Sequence, residues 1–203
     1  IGLGILAARF RGRIVDRLST IFVLIGTSLP TFLTGLLLLV FVVIRWGLIP
    51  FPSGNYTSFF ENPFEWAQIL FLPWLTLAFA YAALYTRFVR SSVIDTSNED
   101  YIRTARAKGL SEGVILGKHT LRAALAPIAT MAGLDFAGLL GGAILTESVF
   151  NLPGLGRLAI SAVTKYDLPI IVATTLLAAF IVVIMNLIVD ILYAYIDPRV
   201  RVA

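Results

Sequence analysis

Cysteine is absent from the chain and histidine occurs once, at His119. No disulfide, thiol nucleophile or cysteine metal site is therefore available, and one imidazole is too few for an ordinary histidine metal centre. Charge is scarce as well: Asp, Glu, Lys and Arg make up 14% of the 203 residues, against 58% hydrophobic. A soluble domain of this length has no use for so much apolar surface, so the composition points to an integral membrane protein. The charges lean basic, with a net +4. They cluster beside hydrophobic runs, as membrane topology requires, which argues against a nucleic-acid partner.

What is present is a succession of apolar runs. Ile1–Ala8 reads as the tail of a span that began earlier, so the chain is expected to be N-terminally incomplete. Four complete spans are expected at 21–44, 67–86, 123–145 and 170–196. The first holds 24 residues without a charge, about 36 Å as a helix and enough to cross the bilayer core. Pro30 lies inside it, with Thr27, Ser28 and Thr31 placed to satisfy the carbonyl it frees. The second carries Pro73 and the third carries Gly133, Gly138, Gly141, Gly142 and one acid, Asp135. Gly138 and Gly142 form a GxxxG pair suited to close helix approach. The fourth contains Asn186 and Asp190 and stops at Asp197-Pro198-Arg199.

Counting Lys and Arg gives thirteen in the segments 9–17, 87–122 and the tail, and three at Arg45, Arg157 and Lys165. The positive-inside rule then makes 87–122 and the C-terminus cytoplasmic, with outer connections at 46–66 and 146–168. Trp46 and Trp66, at the ends of the first connection, suit an interfacial belt.

Ser97–Arg122 is the longest polar interruption. Thr96 and Glu99 have the spacing of a capping box that opens a short helix. Arg106 and Lys108 suit its last turn, and Gly109 can take the left-handed conformation that ends it. Ser111 can cap a second helix running into the third span. The expected element is a short helix, a glycine corner and a new helix at the mouth of a span, shaped to be held by something outside the membrane.

Chemistry has few candidates. Glu112–Thr120 superficially matches a phosphate-binding loop through Gly117-Lys118, but Glu112 and His119 stand where the pattern needs Gly and Ser or Thr. The chain is not expected to hydrolyse nucleotide itself or to hold a cofactor. Asp135, near the middle of its span, either lines a translocation path or bonds to neighbouring helices. Asn186 and Asp190, four apart, read as a structural polar pair. Glu147 is a solvated loop residue or part of an outer gate with Pro153, Gly154 and Gly156, whose apolar turn suits a re-entrant hairpin.

Tyr101-Ile-Arg-Thr-Ala-Arg-Ala-Lys-Gly-Leu110 resembles the cytoplasmic EAA loop of permeases in binding-protein-dependent ABC importers, in the version of the dipeptide/oligopeptide/nickel group. Arg103-Thr104-Ala105 stands at the Glu-Ala-Ala position, Gly109 at the glycine and His119-Thr120-Leu121-Arg122 at the closing Ile-x-Leu-Pro. The initial Glu and final Pro of the general motif are thus replaced, as in that group. Glu147-Ser-Val-Phe150, Pro153-Gly-Leu-Gly-Arg157, Asn186-Leu-Ile-Val-Asp190 and Asp197-Pro-Arg199 match as well, so the resemblance covers essentially the whole chain.

The resemblance implies an all-α polytopic bundle of the type I ABC importer permease kind, in a bacterial or archaeal inner membrane, among lipid. It implies a second, different permease subunit, two cytoplasmic ATPases that hold ATP and Mg, and an extracytoplasmic substrate-binding protein. Arg103, Thr104, Ala105, Arg106, Ala107, Lys108, Gly109 and Leu110 would then couple to the ATPase. Ala105 and Ala107 would allow close approach, Leu110 would anchor, and Arg103 and Arg106 would pair with acids on the partner. Di- or oligopeptides are the expected cargo. The competing reading is a stand-alone ion-coupled carrier using Asp135, against which no internal repeat is visible.

Overall fold

Inside a bilayer every backbone polar group has to be satisfied within the protein, and a helix does this within one segment. The computed structural model describes residues 1–47, 56–140 and 143–196, and each regular element among them is helical. Gly141, Gly142, Asp197-Pro198-Arg199 and the side chain of Asp190 lie outside the described residues, as does part of the 46–66 connection.

The elements are α1 (Gly2–Arg9), α2 (Ile14–Ser28), α3 (Thr31–Leu38), α4 (Pro63–Ser97), α5 (Asp100–Ala107), α6 (Glu112–Val114), α7 (Leu121–Leu140), α8 (Ile144–Val149), α9 (Leu155–Thr164) and α10 (Leu168–Ile196). A π-helical stretch, Leu39–Arg45, extends α3, and another, Ile115–Thr120, joins α6 to α7. Among the described residues, two helices are long and apolar enough to cross a membrane, Pro63–Ser97 and Leu168–Val189. Ile14–Ser28 with Thr31–Arg45, bent by 99°, makes a third if the pair is one span. The 35 residues of α4 rise about 52 Å, well beyond the roughly 30 Å of the hydrocarbon core. Along α10, Leu176, Phe180, Val183, Leu187 and Ile191 are all exposed at helical spacing, the outward apolar face that lipid requires.

The 21–44 run is divided. α2 stops at Ser28 and Pro30 is the N-cap of α3, with φ −58° and ψ 141°. A residue before proline is pushed out of the helical region, and here that preference prevails at Leu29. Within α3 the Thr34 hydroxyl donates one turn back to the Pro30 carbonyl, at 3.3 Å. The apolar run 123–145 is also divided: α7 ends at Leu140 and Ile144 opens the separate helix α8.

Two compact units are distinguishable. The first comprises Ile1–Gly26, Ala82–Phe136 and Ile184–Ala203. Its core joins Val89 and Val93 of α4 to Ala124 and Ile128 of α7, with Ile5 and Ala8 of α1 packed alongside. Gly4 lets α1 approach closely, since a Cβ there would stand 2.8 Å from the Thr86 carbonyl and from Val89. Gly133 of α7 does the same for α10, where a Cβ would overlap Val189, whereas Gly138 has open space around it. A smaller cluster of Ile102, Ala105 and Ile115 holds α5 against the turn that follows α6.

The second unit comprises Thr27–Tyr81 and Ala137–Val183. Gly35 of α3 faces Phe150 and Val149, at 3.1 and 3.4 Å from its potential Cβ, so α3 and α8 pack closely. α8 and α9 form a tight helical hairpin through Asn151, which has φ 54°. Trp66 donates its indole N–H to the Tyr56 hydroxyl at 3.1 Å and meets Phe59 and Trp74 edge-on, each at 5.2 Å between centroids.

Candidate functional site

The polar stretch 97–122 folds as a helix, a corner and a helix. α4 runs on through Ser97, so Thr96 lies inside it, and α5 is N-capped by Glu99 without a side-chain hydrogen bond. The capping box expected at Thr96 and Glu99 is therefore not formed: the long helix propagates through its first member. At the other end, Gly109 has φ +77°. Its N–H donates to the Arg106 carbonyl at 2.9 Å, and the Leu110 N–H donates to Ala105 at 3.3 Å. These two bonds satisfy carbonyls that a helix end would otherwise leave open. Ser111 is the N-cap of α6, again without a side-chain bond.

Which way the residues of α5 point follows from its amphipathic pattern. Ile102, fully buried, and Ala105 turn inward onto Ile115. Arg103, Thr104, Arg106, Ala107, Lys108, Gly109 and Leu110 are exposed. Ala105 thus packs within its own chain, whereas Ala107 is exposed. Tyr101, Leu110 and Val114 expose 47%, 40% and 44% of their surface, an apolar patch beside the corner.

Arg106 is already engaged. Its Nε donates to Glu112 Oε1 at 2.8 Å, Nη2 to Oε2 at 3.4 Å and Nη1 to the Ser97 carbonyl at 3.4 Å. The guanidinium holds the Glu112 carboxyl below its ordinary range. Arg103 makes only a long contact with Asp100, at 3.4 Å and fully at the surface. Of the two arginines expected to face a partner's acids, Arg103 is the more available.

Asp135 accepts a hydrogen bond from the Tyr85 hydroxyl at 2.8 Å, joining α7 to α4. Asn186 is half-buried on α10. Asp16, with no partner visible in the sequence, accepts from Arg90 Nε at 2.6 Å and Nη2 at 3.0 Å, and from the Gly12 N–H at 2.9 Å. That pair ties the α1–α2 corner to α4 across 74 positions of sequence.

The hairpin in the second unit brings Glu147, Gly154 and Gly156 together. Glu147 Oε2 accepts the Arg157 N–H at 2.8 Å. Gly154 is the N-cap of α9, and Glu147, from the preceding helix, serves one of its orphan donors. A Cβ on Gly154 would overlap the Glu147 carboxyl, and one on Gly156 would stand 2.8 Å from the Ile144 Cα. Pro153 lies in the turn between them.

Nothing in the sequence signals the roles of Ile102 and Tyr85, or that Asp16 pairs with Arg90. Glu112 and Arg106, flanking a glycine at short range, were the one pair whose spacing gave a local signal.

Over residues 1–202 the chain matches the family described as "Binding-protein-dependent transport system inner membrane component". It is 45% identical over 198 residues to the "Glutathione transport system permease protein GsiC" of Escherichia coli (strain K12), covering 98% of this chain and 61% of that protein. It is 42% identical over 203 residues to the "Probable peptide ABC transporter permease protein y4tP" of Sinorhizobium fredii, covering 99% of this chain and 64% of that one. The chain spans less than two thirds of the length of these curated relatives.

Proposed function

The chain belongs to the family of binding-protein-dependent transport system inner membrane components, and from that premise we propose that it is the translocation subunit of an ATP-driven importer of short peptides. The relatives named for glutathione, itself a tripeptide, and for peptides support that cargo class. The observation that carries the reading is the α5–Gly109–α6 element, a rigid corner with an apolar patch of Tyr101, Leu110 and Val114 beside a basic rim of Arg103 and Lys108.

In this reading residues 87–122 and the C-terminus lie on the cytoplasmic side, where most Lys and Arg are found. The corner docks on one of two ATPases, which hold the ATP and Mg, and a second permease chain and an extracytoplasmic binding protein complete the complex. Closure of the ATPases on ATP displaces α5, and the Ile102–Ala105–Ile115 contact passes that displacement to α6 and α7. Asp135, with Tyr85, and the hairpin residues Glu147, Pro153, Gly154 and Gly156 are the candidates for path and gate.

The test is co-purification of the full-length permease with its co-expressed ATPases. Tyr101→Glu/Leu110→Glu is expected to lose the ATPases while the permease stays in the membrane. Retention of both ATPases by that variant overturns the coupling assignment.

A further inference from the structure

Four arginines crowd the corner between α1 and α2: Arg9, Arg11, Arg13 and Arg17. The one acid among them, Asp16, is spent on Arg90 and the Gly12 N–H. All four arginines are exposed, and none enters an ion pair among the described residues. The guanidinium carbons of Arg9 and Arg13 lie 5.6 and 5.8 Å from the centre of the Phe10 ring, a placement that restrains two flexible side chains before any ligand arrives. Beside them is a cleft of about 570 Å³, lined by Phe10, Gly12, Arg13, Ile14, Val15 and Arg17.

The cationic cleft opens onto an apolar track. Ile14, Leu18, Ile21 and Ile25 are each at least half exposed and recur at the spacing of one helix face. A small soluble anion would use the arginines and leave that track bare. An acidic protein segment would likewise find no use for a track running several turns along a helix. A phospholipid uses both, with its phosphate at the arginines and an acyl chain along the helix. Basic clusters at the ends of membrane helices attract anionic lipid for this reason.

We propose that the α1–α2 corner is a binding site for an anionic phospholipid, its phosphate held between Arg13 and Arg17 and its acyl chain lying along Ile14, Leu18, Ile21 and Ile25. The site stands independently of the importer reading, because it needs only the membrane and the charge pattern of this corner. Pairing of Asp16 with Arg90 is what keeps the cleft net positive.

The test is native mass spectrometry of the full-length permease in detergent, titrated with phosphatidylglycerol or with phosphatidylcholine of matched chains. Wild type is expected to retain phosphatidylglycerol preferentially. Arg13→Gln/Arg17→Gln is expected to bind it roughly thirtyfold more weakly, at about fivefold per charge. Arg13→Lys/Arg17→Lys keeps the preference, and excess glycerol 3-phosphate does not displace the lipid. Equal retention of phosphatidylcholine, unweakened binding by the Gln variant, or displacement by glycerol 3-phosphate each overturns the proposal, the last by showing a site for soluble anions. A second arm needs no variant: photoreactive phosphatidylglycerol should label wild type within residues 10–25, and labelling confined to other segments overturns the assignment.

Discussion

Arg106 reaches over the Gly109 corner and holds Glu112 by two hydrogen bonds, so the last turn of α5 and the first turn of α6 are fastened together. Both side chains are substantially exposed, at 44% and 69%, and screening by water limits the pair to about 0.5 kcal/mol. Its value is positional, since it braces from the surface a bend that the main chain already sets.

The pair has a pH signature. Arg106 holds the Glu112 carboxyl below its ordinary value of 4.5, so the contribution is complete above that value and fades as the pH falls beneath it. Glu112→Gln should remove this dependence while leaving a neutral acceptor. Spin-label distances between α5 and α6, followed from pH 7 to pH 3, should broaden in wild type and be broad throughout in Glu112→Gln. A wild-type distribution that stays narrow at pH 3 would falsify the clamp.

Gly109 sits at φ +77° with nothing within 4 Å of its potential Cβ, so a substitution there meets backbone strain and no steric block. Gly109→Val should cost about 1–2 kcal/mol, and Gly109→Asn less, because asparagine tolerates the left-handed region. Thermal unfolding of the full-length permease in detergent should rank the three as Gly, Asn, Val. Equal stabilities for Asn and Val would show that left-handed backbone strain does not set the cost.

In the α8–α9 hairpin, Gly154→Ala drives a methyl group into the Glu147 carboxyl and should dislodge it from the Arg157 N–H. Glu147→Ala removes the same cap, worth about 1 kcal/mol. The double variant should therefore be about as stable as the less stable single one. Additive losses would mean that Gly154 acts through some other contact.

Asp16 and Arg90 should behave as a coupled pair. Asp16→Asn and Arg90→Met each strand a partner, Arg90 partly buried and Asp16 buried, and should cost about 1–3 kcal/mol. The double variant should lose less than the sum, and strict additivity in a thermal double-mutant cycle would remove the link between the α1–α2 corner and α4.

Helical class and the corner at Gly109 were legible because they depend on composition and on one backbone conformation that glycine adopts freely. Local patterns failed where longer-range structure overruled them. Thr96 and Glu99 have capping-box spacing, yet α4 propagates past Thr96. The close approach of α10 at Gly133 depends on Val189, 56 positions away. Asp16–Arg90 and Tyr85–Asp135 are likewise separated by 74 and 50 positions. No spacing rule reaches that far. Pro30 is a local signal of a different kind: it reads as tolerated within its span, and the chain bends by 99° between α2 and the helix that Pro30 caps.

The bend at Gly109 is held by two main-chain hydrogen bonds, from Gly109 to Arg106 and from Leu110 to Ala105. Shape at this elbow is thus written in the backbone, while its exposed face is written in side chains. The two can be changed separately. In the proposed coupling role, the exposed Tyr101, Arg103, Ala107 and Leu110 could be recut to fit a different motor, like a key blank whose bow and shank keep their form while the teeth are filed anew.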